Sequence, residues 1–230
     1  MSKAFKLRIT FSQTGHLRYI SHLDLIKLWE RLLRRAAIPL AYSHGFTPHP
    51  KITVASPLPV GFEGLEEVMD IALTSFLSPE EFLAKVKPHL PSGLNIIRVE
   101  VAKDEPISLP QLLTASEYLV ILPECKDKEK LAQDVEELMN KSSLPFRREK
   151  GGKVREYDLR PMIKGLKVIE SDEPGCALWM LLETSPSATA RPEDVLKALG
   201  FDGYARVKRL KLHLREEMNH GSKTTGENRN

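Results

Sequence analysis

The apolar periodicity of this chain switches between two and 3.6 residues in a set order, and that order constrains its fold more than any single residue does. Lys6-Leu7-Arg8-Ile9-Thr10-Phe11 alternates polar and apolar, which predicts a half-buried strand. Ser21 with Asp24 three positions later forms a capping signal, and Leu25, Leu28, Trp29, Leu32 and Ala36 then recur at helical spacing. A helix is predicted over about 21–37, ended by Pro39. Leu40-Ala41-Tyr42-Ser43 reads as a short strand, and Ile52–Ala55 and Val68–Leu73 read as a pair of strands. Ser78-Pro79-Glu80-Glu81 opens a second helix, with Ser as cap and Pro at the first position, and Leu94–Val99 closes the set as a strand.

The second half repeats the order. Tyr118–Leu122 predicts a strand, Lys128–Asn140 a helix, and Ala177–Glu183 a strong strand. Arg147–Asp158 and Leu166–Ile169 are strand candidates, the first interrupted by the Gly151-Gly152 hairpin signal. Arg191-Pro192-Glu193-Asp194 starts a short helix, and Ala205–Leu214 is a closing alternating strand. The predicted fold class is α+β, as two tandem ferredoxin-like βαββαβ halves. The halves are placed at residues 1–103 and 116–216, with a linker over 104–115 and a disordered polar tail over 217–230. A chain of 230 residues has room for two such domains of about 100 residues each.

No apolar run approaches the roughly 20 residues that a membrane-spanning helix needs, and no apolar signal-peptide core follows Met1. The expected setting is the cytoplasm, with no membrane role. Cys125 and Cys176 stand 51 positions apart with no His or Cys at metal spacing beside either, so two unpaired thiols and no metal site are expected. Charge is unevenly spread. Residues 1–51 carry nine Lys/Arg against two Asp/Glu, whereas residues 52–145 carry eight against sixteen. A bipolar surface of this kind can meet a polyanion on its basic side.

The chemistry-bearing residues concentrate between Gly15 and Gly61. His16, His22, His44 and His49 fall within 34 positions, together with Arg18, Tyr19, Tyr42 and Lys51. Histidine is the natural acid–base group near neutral pH. His44 and His49 lie in a loop that Pro48, Pro50 and Gly45 shape, where fixed polar groups suit binding or catalysis. His16 and His22 flank the entry to the first helix, which capping and packing explain. Pro57-Leu58-Pro59-Val60-Gly61 is a second rigid loop with an apolar surface, which could line a pocket or pack against the other half, and packing is the favoured expectation. Lys27, Arg31, Arg34 and Arg35 form a basic strip on the first helix, and Arg147, Arg148, Lys150, Lys153 and Arg155 a second basic cluster. Glu63, Glu66, Glu67 and Asp70 read as a water-exposed acidic hairpin. No phosphate-binding glycine loop, H-E-x-x-H or G-x-S-x-G is present, and the aromatic pattern of RNA-recognition motifs is missing.

The segments His16-Leu17-Arg18-Tyr19-Ile20-Ser21-His22-Leu23-Asp24, Arg34-Arg35-Ala36, Pro39–Ser43, Gly45-Phe46, Pro48-His49-Pro50-Lys51 and Pro57–Gly61 together resemble the radical SAM-linked proteins. These form a bacterial family without an assigned reaction, whose domain stands alone or is fused behind a radical SAM protein with a cobalamin-binding-type region. Tyr157-Asp158-Leu159-Arg160-Pro161 also resembles a block of that family. The resemblance implies a radical SAM protein as partner and an accessory or substrate-presenting role. With two cysteines the chain lacks the three-cysteine cluster motif, so no cofactor is expected in this chain.

Three functions compete on these residues. In an RNA-binding accessory domain, Arg18, Arg34, Arg35 and Lys51 would contact phosphates, with His22 and His49 helping to hold a nucleotide. In a metal-independent endoribonuclease, similar only in architecture to the CRISPR repeat-processing enzymes, His44 or His49 would act with Tyr42 and Lys51. In a protein-interaction module, the Pro57–Gly61 loop would dock the radical SAM partner.

Overall fold

The computed structural model of the chain describes residues 5–102 and 107–215. The predicted tail lies outside these residues, as does the beginning of the predicted linker. The strands are β1 (Phe5–Gln13), β2 (Ile52–Val54), β3 (Glu63–Leu73), β4 (Leu94–Val101), β5 (Leu113–Leu122), β6 (Pro145–Lys150), β7 (Lys153–Asp158), β8 (Ile163–Ile169), β9 (Cys176–Glu183) and β10 (Arg206–Leu214). The helices are α1 (His22–Arg35), α2 (Pro79–Val86), α3 (Lys128–Asn140) and α4 (Pro192–Ala198). None of them is long and apolar enough to cross a membrane.

The result is a mixed α+β structure built on one mostly antiparallel eight-stranded sheet. Its order is β4-β1-β3-β10-β5-β9-β8, with β2 paired to β3 off that path. The single parallel contact among these strands joins β10 to β3, where Lys208 lies opposite Glu63 and Arg209 opposite Gly64. β6 and β7 form a separate two-stranded hairpin, so Arg147–Asp158 does not extend the main sheet as its periodicity suggested. The polar alternation of that stretch suits a ribbon of its own, turning at Gly151 and Gly152, both at positive φ.

Local signals decide the helix starts. The Ser21 hydroxyl accepts from the Asp24 amide to cap α1, and Ser78 with Glu81 forms a reciprocal capping box on α2. α1 ends in a left-handed residue without a glycine. Ala37 holds φ at 52°, and the Ile38 amide donates back to the Leu33 carbonyl at 3.0 Å, which closes the last turn.

Two apolar clusters fill the helix side of the sheet. Leu7, Ile9, Phe11, Trp29, Leu33, Met69 and Phe82 anchor one, and Val120, Leu122, Val135, Leu178, Met180 and Val195 the other. Leu58 and Phe62, from the loop after β2, belong to the second cluster, so the Pro57–Gly61 loop packs across the molecule. The predicted linker is folded from Leu109 onward, because Leu109, Leu112 and Leu113 are buried, two of them in a third small cluster with Val68 and Leu212.

Charged groups also lie inside. Arg209 is 2% exposed and donates from Nε to Glu67 Oε1 at 2.8 Å, and from Nη2 to the Ser56 carbonyl at 2.9 Å. Arg8 holds Asp70 through two hydrogen bonds of 2.9 and 3.1 Å. The reading of Glu67 and Asp70 as water-exposed is therefore corrected. Each faces a guanidinium from a neighbouring strand, and period-two spacing cannot distinguish a buried pair from a wet one.

Cys125 and Cys176 are joined in a disulfide with Cα atoms 5.5 Å apart, which overturns the expectation of two unpaired thiols. β5 and β9 are antiparallel neighbours with Leu122 opposite Cys176, and the turn after Leu122 brings Cys125 back to that position. A separation of 51 residues hides this adjacency in the sequence.

Arg209→Ala strands Glu67 in the interior and should cost about 3–5 kcal/mol in urea unfolding, whereas Arg209→Met with Glu67→Leu should recover much of that loss. Ala37→Gly should raise stability by about 1 kcal/mol, or roughly 3 °C in the thermal midpoint, by removing a Cβ from the left-handed region.

Candidate functional site

β1 ends at Gln13, and the chain then makes a 3-10 turn over Gly15–Tyr19 before α1 begins. Three contacts fix this turn against the sheet. The Thr14 amide donates to the Gly93 carbonyl at 2.8 Å, Gln13 Nε2 to the Leu17 carbonyl at 2.8 Å, and the Gly15 amide to Glu63 Oε1 at 3.0 Å. A fourth ties it to the proline loop, because the Gly61 amide donates to the Arg18 carbonyl at 2.7 Å. Gly61 holds φ at 93°, a conformation that disfavours any side chain there.

Arg18 is thereby placed at the seam between β3 and β10. With Gly61, Glu63, Glu173, Arg206, Val207 and Lys208 it lines a cleft of about 240 Å³. Glu63 lies 3.9 Å from Arg18 Nη1, and Glu173 takes Arg206 at 2.9 Å and Lys208 at 3.0 Å. Three cations thus face two carboxylates. The Lys208 hydrogen bond holds the Glu173 carboxyl below its ordinary value, with the nearby Lys208 and Arg206 charges adding to it. The Arg18 pKa is raised, first by its hydrogen bond to the Tyr19 hydroxyl at 2.6 Å. Its guanidinium also lies 4.7 Å from the centre of the Tyr19 ring, and the Tyr204 phenol acts on the same charge. Tyr19 and Tyr204 are both well exposed, at 59% and 61%. Arg18 Nε and His22 Nδ1 are shielded from solvent without a hydrogen-bond partner among the described residues.

The other sequence candidates are elsewhere. Tyr42 bridges to Pro50, the Ser43 amide donates to the His49 carbonyl at 2.8 Å, and the His49 amide to Ser43 Oγ at 3.0 Å. His44, His49 and Lys51 therefore sit on one exposed hairpin, with Phe46 wholly exposed near its tip. The Lys51 carbonyl accepts from the Ala72 amide, whereas Arg18 meets Glu63. Nine residues of extended β3 separate those two contacts, about 30 Å. Arg34 and Arg35 are exposed at the C-terminal end of α1, about 20 Å along the helix from His22. The histidines thus fall into two groups, His16 and His22 at the cleft end of the sheet and His44 and His49 at the other.

Two further blocks serve the framework. Arg148 pairs with Asp194, which also accepts from the Tyr157 hydroxyl at 3.3 Å. Arg160 donates to the carbonyls of Met139 and Ile163, and Asp158 accepts from the Leu144 and Arg160 amides. Glu173, Arg206 and Lys208 went unnoticed in the sequence reading. Their signal is weak, since each lies in an ordinary alternating or polar stretch and only the β3–β10 contact brings them to Arg18. Among the described residues no group of three or more His, Cys, Asp or Glu could hold a metal ion.

Residues 6–192 match the family described as "Uncharacterized protein conserved in bacteria (DUF2344)", and the chain belongs to that family. No curated protein matches it. Among solved structures it is similar to a chain of "Crystal Structure of a Cbf5-Nop10-Gar1 Complex", with a TM-score of 0.50 and 12% identity over 92% of this chain. The chain covers 50% of that longer chain, and at this identity the likeness concerns the fold alone.

Glu173→Ala removes the carboxylate shared by Arg206 and Lys208. The cleft should then bind inorganic tripolyphosphate about fivefold more tightly at low salt, measured by calorimetry, with the gain fading at high salt.

Proposed function

We propose that this member of the DUF2344 family is an RNA-binding accessory protein whose junction cleft holds the phosphates of an RNA strand. The observation that carries the reading is the convergence of Arg18, Arg206 and Lys208 beside two exposed tyrosines. Guanidinium and ammonium groups neutralise phosphates, and an exposed phenol offers a face to a base. Two of the seven residues that line this cleft, Arg18 and Gly61, belong to the segments that resemble the radical SAM-linked proteins. In this reading the protein presents its RNA to a radical SAM partner, and the chemistry belongs to that partner. Arg34, Arg35, His49 and Lys51 form a second contact region at the far end, along which the same strand would continue.

The architecture in this reading is two tandem ferredoxin-like halves, over residues 1–103 and 116–216. Strand order supports it. The first four strands run β4-β1-β3 with β2 on β3, and β10-β5-β9-β8 repeats that arrangement once the β6–β7 hairpin is set aside. The endoribonuclease alternative would have to work from His44, His49, Tyr42 and Lys51 alone, because the hairpin stands far from Arg18.

Binding of a fluorescein-labelled single-stranded RNA dodecamer tests the proposal. Three phosphate contacts predict a log–log salt slope near −2, and Arg18→Ala or Arg206→Ala should each weaken binding about five- to tenfold and flatten the slope by roughly 0.7. Equal affinity in both variants, or no binding at 50 mM salt, would overturn it. His44→Ala with His49→Ala should leave the RNA uncleaved and intact, as the wild type does.

A further inference from the structure

Lys208, which lines the cleft, lies opposite Glu63 on one side and Leu119 on the other. Leu119 lies opposite Trp179, and Trp179 opposite Lys167. One cross-strand row therefore runs from β3 through β10, β5 and β9 to β8, about 19 Å at the usual strand spacing. Tyr118, Val120, Leu178 and Met180 belong to the apolar cluster that includes Leu131, Val135 and Leu138 of α3. Side chains alternate across a sheet, so Leu119, Trp179 and Lys167 lie on the opposite face, away from the helices.

The Trp179 ring is held on three sides. Its Nε1 donates to Glu117 Oε1 at 2.6 Å, and the other oxygen of Glu117 lies 3.2 Å from His213 Nε2. Gly165 leaves room for the ring, since a Cβ there would lie 2.6 Å from Trp179 Cζ3. Lys167 Nζ lies 4.8 Å from the ring centre. An indole fixed in this way has already lost the freedom that stacking would otherwise remove.

We infer that this row is a stacking platform for an unpaired RNA base, so that a single strand crosses the helix-free face from the cleft to Trp179. The base displaces the Lys167 ammonium from the ring, and that charge is then free to meet a phosphate. Trp179 is half-buried but Lys167 is exposed, and a water-screened ammonium–indole contact is weaker than a base–indole stack, so the exchange runs forward. Arg206, Lys208 and Lys167 line the path, while the carboxylates beside it have partners, Glu63 in Arg18 and the Gly15 amide, Glu117 in Trp179 and His213, and Glu173 in Arg206 and Lys208. Only unpaired bases present a face to such a ring, which makes single-stranded RNA the ligand rather than duplex. The inference rests on the RNA reading of the cleft and names its substrate class.

Two readouts keep the platform and the cleft apart. Trp29 is buried in the core and Trp179 is the second of two tryptophans, so emission that RNA quenches reports Trp179. The trinucleotide ApApA should quench it in the wild type, and Trp179→Ala should weaken dodecamer binding about tenfold while Trp179→Phe loses far less. Duplex RNA of the same sequence should bind no better to wild type than to Trp179→Ala. Wild-type affinity in folded Trp179→Ala, or emission unchanged by saturating RNA, overturns the platform and leaves the row to a protein partner. If Arg18→Ala and Arg206→Ala bind normally while ApApA still quenches, the cleft reading fails and the platform stands.

Discussion

The Arg209–Glu67 pair is the interaction on which the rest of the structure depends. Burial works against the charge of Arg209, and the Glu67 carboxylate more than offsets that, so its pKa is raised. A buried ion pair adds little net stability over an apolar pair of similar size, yet losing one partner is costly. Its effect is on geometry. Arg209 also takes the Ser56 carbonyl, so one guanidinium ties β10 to β3 and to the start of the proline loop. Leu58 then enters the cluster of the second half, and Gly61 reaches the Arg18 carbonyl.

The candidate site is a consequence of that joint. Lys208 precedes Arg209 on β10 and lies opposite Glu63, so the register that buries Arg209 also sets Lys208 beside Arg18. The disulfide acts on the neighbouring edge. It ties the start of β9, just after the segment that carries Glu173, to the turn beyond β5. Each charged wall of the cleft is therefore braced from inside the sheet, and the exposed tyrosines stand at its rim. A cleft held in this way can receive an anion without first ordering itself.

Much of the fold was legible because its signals are local. The capping residues Ser21 and Ser78 act within three positions, and the alternation of Leu7, Ile9 and Phe11 is a property of the strand itself. Arg18 was legible as a candidate for the same reason, since a dense motif surrounds it. Its partners were not. Glu173, Arg206 and Lys208 are more than 150 positions from Arg18 and carry no motif of their own. Glu67 and Asp70 looked like wet acids because a sequence shows the spacing of charges and not what faces them.

The sequence by itself determined most of the order of helices and strands, though Leu40–Ser43 forms only isolated bridges and not the expected strand, together with the caps of α1 and α2 and the concentration of basic and histidine residues before Gly61. These follow from backbone preference and periodicity, which act over a few residues. Tertiary structure alone decided that Cys125 meets Cys176, that the His44–His49 hairpin and Arg18 sit at opposite ends of β3, and that Trp179 lies on one row with Lys208. Each of these depends on which strands become neighbours and in what register. Register is set by burial summed over the whole sheet, and no local stretch of sequence contains that sum.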